Sequence, residues 1–95
     1  MKLVYAASAM ADLERIYDYQ ARNWPGARKP FEEALARIEQ RILVFPKSAP
    51  AYGRGTNVRV ATFSRYPYRL FYRIGEENIE IIHIRNTSRK PLHRK

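Results

Sequence analysis

The stretch Tyr68-Arg69-Leu70-Phe71-Tyr72-Arg73-Ile74 settles how this chain folds. On a strand, alternate side chains share a face. Tyr68, Leu70, Tyr72 and Ile74 then form one apolar set, while Arg69, Phe71 and Arg73 point the other way. One face calls for a hydrophobic layer and the other for solvent or a partner. Runs of similar character lie on either side, Val58 to Phe63 before it and Ile79 to Arg85 after it. Ser64-Arg65-Tyr66-Pro67 and Gly75-Glu76-Glu77-Asn78 separate the runs. Connections this short join antiparallel neighbours, so the C-terminal part reads as a three-stranded antiparallel meander.

Upstream, residues 46–57 read PKSAPAYGRGTN, a loop by its prolines and glycines. Before it the period changes from two to that of a helix. Phe31, Leu35, Ile38, Ile42 and Phe45 recur at three- and four-residue steps, with Pro30 near the start and Pro46 at the stop. An earlier helix runs from about Ser8, its candidate N-cap. Leu13, Ile16, Tyr17, Ala21 and Trp24 mark its apolar face; Asp12, Glu14, Arg15, Asp18 and Arg22 fall mostly on the other. Trp24-Pro25-Gly26 breaks the pattern, and two amphipathic helices across so short a turn predict an antiparallel hairpin. Lys2-Leu3-Val4-Tyr5 is a short strand. The order is βααβββ: one α+β domain over residues 1–95, with the helical hairpin packed on one face of the sheet.

Composition narrows the chemistry. A chain of 95 residues has room for one core. Without cysteine there is no disulfide scaffold and no thiolate metal site. Leaving tyrosine aside, the longest apolar run is Ile42-Leu43-Val44-Phe45, far short of the ~20 residues of a spanning helix. The stretch after Met1-Lys2 is too short for a signal peptide and meets Asp12 and Glu14 at once, so the cytoplasm is the expected compartment. The net charge of +9 predicts acidic partners. It is uneven: residues 1–53 carry 8 basic and 6 acidic side chains, residues 54–95 carry 10 and 3.

The basic excess falls on the meander and the tail. Arg69 and Arg73 with Phe71 between them can clamp phosphates and stack a ring. Arg59 and Arg85, on the flanking strands, are expected to extend the patch, and Arg89 and Lys90 continue it into the tail. The same pattern also fits a plain solvated face, and the strand alone does not choose. Catalytic motifs are thin. His83 and His93 do not form a metal site without further ligands, and Gly53-Arg54-Gly55 precedes a strand rather than a helix. His83 reads as a partly buried structural histidine of the last strand, opposite in direction to Ile82 and Ile84, and His93 as solvated. No metal and no cofactor are expected.

Taken in order, several segments resemble the RelE/ParE superfamily of bacterial toxins from type II toxin–antitoxin systems. Ala11-Asp12-Leu13 with Ile16 and Tyr19 is similar to the family's first helix. Ile38, Ile42 and Pro46 are similar to its second. Tyr66-Pro67-Tyr68-Arg69-Leu70-Phe71-Tyr72-Arg73 is similar to its central strand and is the most specific piece. Ile82 to Pro91, IIHIRNTSRKP, is similar to the closing strand and its end. The likeness covers essentially the whole chain.

The resemblance implies a toxin held silent by a cognate antitoxin, acidic and partly disordered when free, which alone would bring the toxin to operator DNA. It offers two targets. ParE-like members poison DNA gyrase by binding; RelE-like members cleave mRNA on the ribosome without a metal. Arg69 and Arg89 match arginines that are catalytic in the ribonuclease members. Two departures weaken the nuclease branch. Such nucleases carry lysines on the strand before the Tyr-Arg strand, where this chain has Val58, Val60, Ala61 and Thr62 with only Arg59 basic. A frequent histidine before the closing arginine is Asn86 here, and an amide is no acid or base at neutral pH. The implied reading is therefore a ParE-like gyrase inhibitor. The RelE-like endoribonuclease and a nontoxic member that only binds its antitoxin stand as alternatives.

Overall fold

A computed structural model describes residues 1–87, so Arg89, Lys90 and His93 lie outside the described residues. The elements are β1 (Lys2–Tyr5), α1 (Ala7–Asn23), α2 (Arg28–Val44), β2 (Val58–Thr62), β3 (Tyr68–Ile74) and β4 (Asn78–Asn86). They make an α+β fold in the expected order. No helix among the described residues is long and apolar enough to cross a membrane.

The helices meet across Trp24–Ala27, where Gly26 takes φ +93°, a conformation that side chains with a Cβ rarely adopt. Pro30 sits in the first turn of α2, where its missing N–H has no helical acceptor to lose. Phe31, Ala34, Leu35, Ile38 and Ile42 are buried, so the expected stripe of α2 holds except for Phe45, which lies just past the helix and is exposed. On α1 the stripe is rotated. The buried residues are Ala9, Asp12, Leu13, Ile16 and Gln20; Ala21 and Trp24 are exposed and Tyr17 is half-buried. Ser8 does not cap the helix. Its hydroxyl donates instead to the Ile82 carbonyl at 2.6 Å, and no side chain caps the N-terminus at Ala6.

The sheet order is β1-β4-β3-β2. β2, β3 and β4 form the antiparallel meander, but the sheet is mixed, because β1 lies parallel beside β4 with Leu3 opposite Ile79 and Tyr5 opposite Ile81. Hairpin logic fixes only neighbours joined by short turns; β1 is separated from β4 in the chain by both helices, β2 and β3. That placement makes β4 an inner strand over its first half, and Ile79 and Ile81 are fully buried. The Tyr5 hydroxyl donates to the Glu39 carboxylate, tying β1 to α2. Burial, and then that carboxylate, hold the Tyr5 phenol far above its ordinary titration range.

The core lies between the helices and one sheet face. Leu70, Tyr72 and Tyr68 are buried there, as alternation predicts, and Arg69 and Arg73 are exposed on the other side. Phe31 is the hub. It stacks on Phe63 at 5.3 Å and takes the edges of Tyr66 and Tyr68 at 5.5 Å and Tyr17 at 5.9 Å between ring centroids. Tyr72 donates its hydroxyl to the Pro46 carbonyl at 2.6 Å, fastening the loop after α2 to the sheet. Burial raises the Tyr72 phenol, so it remains a donor at neutral pH. Tyr72→Phe should lower stability by about 1 kcal/mol, the usual net value of one such bond. Chemical denaturation reads this directly, and an unchanged midpoint with an unchanged slope would show that the bond contributes nothing net.

Both flanks of the meander are covered. Beside β2, the Tyr52 N–H donates to the Val58 carbonyl at 2.8 Å and the Val60 N–H to the Pro50 carbonyl at 3.0 Å. β4 runs on past the end of β1, and there α1 takes over: Ser8 meets Ile82, and Asp12 accepts the Ile84 N–H at 2.9 Å.

Candidate functional site

The face of the sheet away from the helices is the candidate site. Its side chains follow from strand parity and one irregularity. Arg69 stands opposite Arg85, Leu70 opposite Ile84 and Phe71 opposite His83; the register then shifts and Tyr72 stands opposite Ile81. Ile82 is the extra residue of a β-bulge. The bulge lets Ile81 and Ile84, of opposite parity, both enter the core. His83 consequently shares the outer face with Phe71, Arg69 and Arg85, half-buried as the sequence implied.

Three cross-strand rows result. Thr62, Arg69 and Arg85 form the first, with two guanidiniums on neighbouring strands. Val60, Phe71 and His83 form the second. Val58, Arg73 and Glu80 form the third, where Arg73 pairs with Glu80 at 3.0 Å. That pair is exposed and contributes little stability, but it offsets the charge of Arg73. The loop adds Tyr52, whose exposed ring meets Phe71 edge-on at 5.1 Å.

Arg59 does not join this patch. It lies opposite Tyr72, on the core side of β2 with Ala61, and its guanidinium donates to the carbonyls of Ala49 at 2.6 Å and Lys47 at 3.3 Å. Parity fixes this: Arg59 shares its face with Ala61 and Phe63, both buried. Of the expected site residues, the structure brings together Arg69, Phe71, Arg73 and Arg85 and sets Arg59 apart. Arg89 and Lys90 lie outside the described residues.

Sequence reasoning missed the cluster at the end of this face. Asp12, only 3% exposed, accepts the Ile84 N–H and faces His83 Nδ1, each at 2.9 Å, through the same oxygen. Its other oxygen takes Arg15. A carboxylate can only accept, so His83 carries its proton on Nδ1 when neutral. The terminal nitrogen of Arg85 lies 3.3 Å from Nδ1 and 3.2 Å from Nε2. Near-equal distances to both nitrogens of one five-membered ring place it over the ring face, since an in-plane approach would strike the carbon between them. Arg85 therefore stacks on the imidazole while its Nε stands 4.0 Å from Asp12, and no described residue meets the in-plane lone pair of Nε2.

The face holds donors and rings, a surface for an anionic or amphipathic partner. No group of three or more His, Cys, Asp or Glu residues among those described could hold a metal ion. A depression of about 540 Å³ between α2 and the β2–β3 turn, lined by Arg37, Arg65 and Glu33 among others, lies apart from this face and opens to solvent.

Comparison with known proteins agrees with this architecture. The family model described as "ParE toxin of type II toxin-antitoxin system, parDE" matches residues 3–91. Among solved structures, one described as the chromosomal ParDE TA system from P. aeruginosa superposes with a TM-score of 0.75 at 24% identity, covering 90% of this chain and 95% of that one. The YoeB/ParE toxin from Agrobacterium tumefaciens superposes with a TM-score of 0.63 at 22% identity, covering 90% of this chain and 98% of that one. At these identities the structures bear on the fold alone. A search of curated proteins gave no significant match.

Proposed function

We propose that this chain, which belongs to the ParE toxin family of type II toxin–antitoxin systems, inhibits DNA gyrase by protein binding and is neutralised by a cognate antitoxin. The observation that carries this is the makeup of the outer sheet face. It offers Arg69 and Arg85 side by side, with Phe71 and Tyr52 as an aromatic platform, while β2 contributes only Val58, Val60 and Thr62 there. Such a surface binds well and is poorly supplied for chemistry. Metal-free RNA cleavage must deprotonate a 2′-hydroxyl, protonate the leaving oxygen and stabilise the phosphorane. Guanidiniums serve the third task and stay protonated at any physiological pH. Among the described residues His83 is the one imidazole, and one imidazole leaves a proton transfer unassigned.

The antitoxin in this reading carries an acidic segment studded with apolar residues, partly disordered until bound. Charge complementarity to a +9 chain speeds encounter, and apolar anchors supply affinity. Neutralising the antitoxin's acidic residues should slow association markedly; equal rates and affinities would refute the electrostatic part.

The test of the function is induced expression with DNA supercoiling and mRNA integrity followed together. Gyrase-type DNA damage with intact ribosome-associated mRNA is expected, and Arg69→Ala or Arg85→Ala should weaken the damage at least tenfold without unfolding the protein. A-site cuts in primer extension that vanish in Arg69→Ala or Arg89→Ala would move the protein to the ribosome-dependent nucleases.

A further inference from the structure

We propose that His83 is a proton-linked part of the cationic face. By gaining a proton at Nε2, it adds a third cationic donor beside Arg85 and Arg69 and tightens the capture of a carboxylate-rich peptide as pH falls. This rests on the reading of the outer face as a binding surface and adds its regulation.

Two opposed contacts define the His83 ring. Asp12 holds Nδ1 at 2.9 Å, fixing both orientation and tautomer. Arg85 covers one face of the ring. Nε2 is left on the outer face, and the side chain is 36% exposed, so a proton and a ligand oxygen can both reach it. Among the described residues the charged surroundings are few. Asp12 and Arg15 come from α1, with Arg15 acting through the other oxygen of Asp12. On β4 itself the neighbour is Arg85. From β3 the residue directly opposite is Phe71, uncharged, with Arg69 one row away against Arg85. Val60 lies beyond Phe71 on β2, and β1 ends at Tyr5, before His83 is reached.

With a neutral ring, Nε2 can only accept, and it repels a carboxylate drawn to Arg69 and Arg85. With a protonated ring, Nε2 becomes a donor on the same side as the two guanidiniums, while Asp12, which also faces Arg15, keeps its bond to Nδ1. The same single proton changes both the sign of the hydrogen-bonding group and the charge of the row beside the arginine pair. Linkage is reciprocal: a peptide that binds the protonated form more tightly must draw a proton onto His83 when it binds. One added charge near a bound carboxylate in a surface setting corresponds to roughly a fivefold gain in affinity.

The experiment titrates the protein with an oligo-glutamate peptide, which stays ionised throughout, from about pH 8 to about pH 5.5, the window in which imidazoles change charge. Binding by wild type should tighten about fivefold on acidification, with proton uptake visible as a buffer-dependent heat. His83→Asn, which can still donate to Asp12, should bind with a flat pH profile. The imidazole nitrogen resonances of wild type, read by NMR, provide a check that needs no variant: peptide should move Nε2 toward the protonated form at fixed pH. Equal tightening in wild type and His83→Asn, or an Nε2 signal indifferent to peptide, overturns the proposal and leaves the binding face standing. A peptide that fails to bind at any pH overturns the binding face and this linkage with it.

Discussion

Replacing Phe31 by alanine should cost about 3–5 kcal/mol, the range for deleting a fully buried phenyl ring. Phe31 has no exposed surface, and four rings converge on it from α1, the β2–β3 region and β3. Collapse around the void would have to move Phe63, Tyr66 and Tyr68 together, and those residues are tied into β3 or the turn leading to it. The site therefore relaxes poorly, which places the cost toward the upper end. A domain of this length is stable by roughly 5–14 kcal/mol in total, so the variant should melt lower by roughly 15–30 °C. Leu70→Ala, on the core face of β3, should cost about 2–5 kcal/mol. Arg73→Ala, on the other face and in an exposed ion pair, should stay within about 0.5 kcal/mol of wild type. A melt in which Arg73→Ala unfolds the chain while Leu70→Ala and Phe31→Ala do not would reverse the assignment of the two faces.

These outcomes depend on features of unequal visibility in the sequence. The faces of β3 were legible because Tyr68 to Ile74 alternates without a fault, and α2 was legible because its apolar residues keep a helical step. The rotation of α1 was not, since its buried stripe contains Asp12 and Gln20. Asp12 enters the stripe because Ile84 and His83, more than seventy positions away, receive it, while the buried amide of Gln20 has no hydrogen-bond partner among the described residues. Nor does chain order say where β1 pairs, because its neighbour is the last strand. The bulge had a faint signal in Ile81-Ile82, two adjacent apolar residues in an otherwise alternating run. Arg59 had a clearer one: it stands two and four positions before Ala61 and Phe63, and strand parity puts all three on the core side. Its charge suggested a surface role; its hydrogen bonds to Ala49 and Lys47 show how a guanidinium can serve as a clasp for a loop. Of the candidate site, the row of Arg69 and Arg85 could be foreseen from the sequence, whereas the Asp12–His83 contact required the tertiary fold.

Asp12 carries the second large expectation. β4 continues past the end of β1, and its outward backbone groups would be left bare there. Ala6 closes the last β1 position by donating to the Ile81 carbonyl at 2.9 Å, Ser8 takes Ile82, and Asp12 takes Ile84. The first turns of α1 thus stand in for a strand that has ended, and the buried carboxylate is the strongest of these contacts because its acceptor is charged. Asp12→Ala removes it from three partners at once: the Ile84 N–H, His83 and Arg15. A buried donor left unpaired costs about 1–3 kcal/mol by itself, and loss of the charged contacts brings the expectation to roughly 2–4 kcal/mol. Asp12→Asn keeps an acceptor for Ile84 and should lose about half as much. Hydrogen exchange locates the effect: the Ile84 amide should lose protection in Asp12→Ala while the amides of β3 that pair with β2 keep theirs. An Asp12→Ala protein with wild-type stability and a still-protected Ile84 amide would mean that the end of β4 is held without α1, and the account of how the helix closes this sheet would fall.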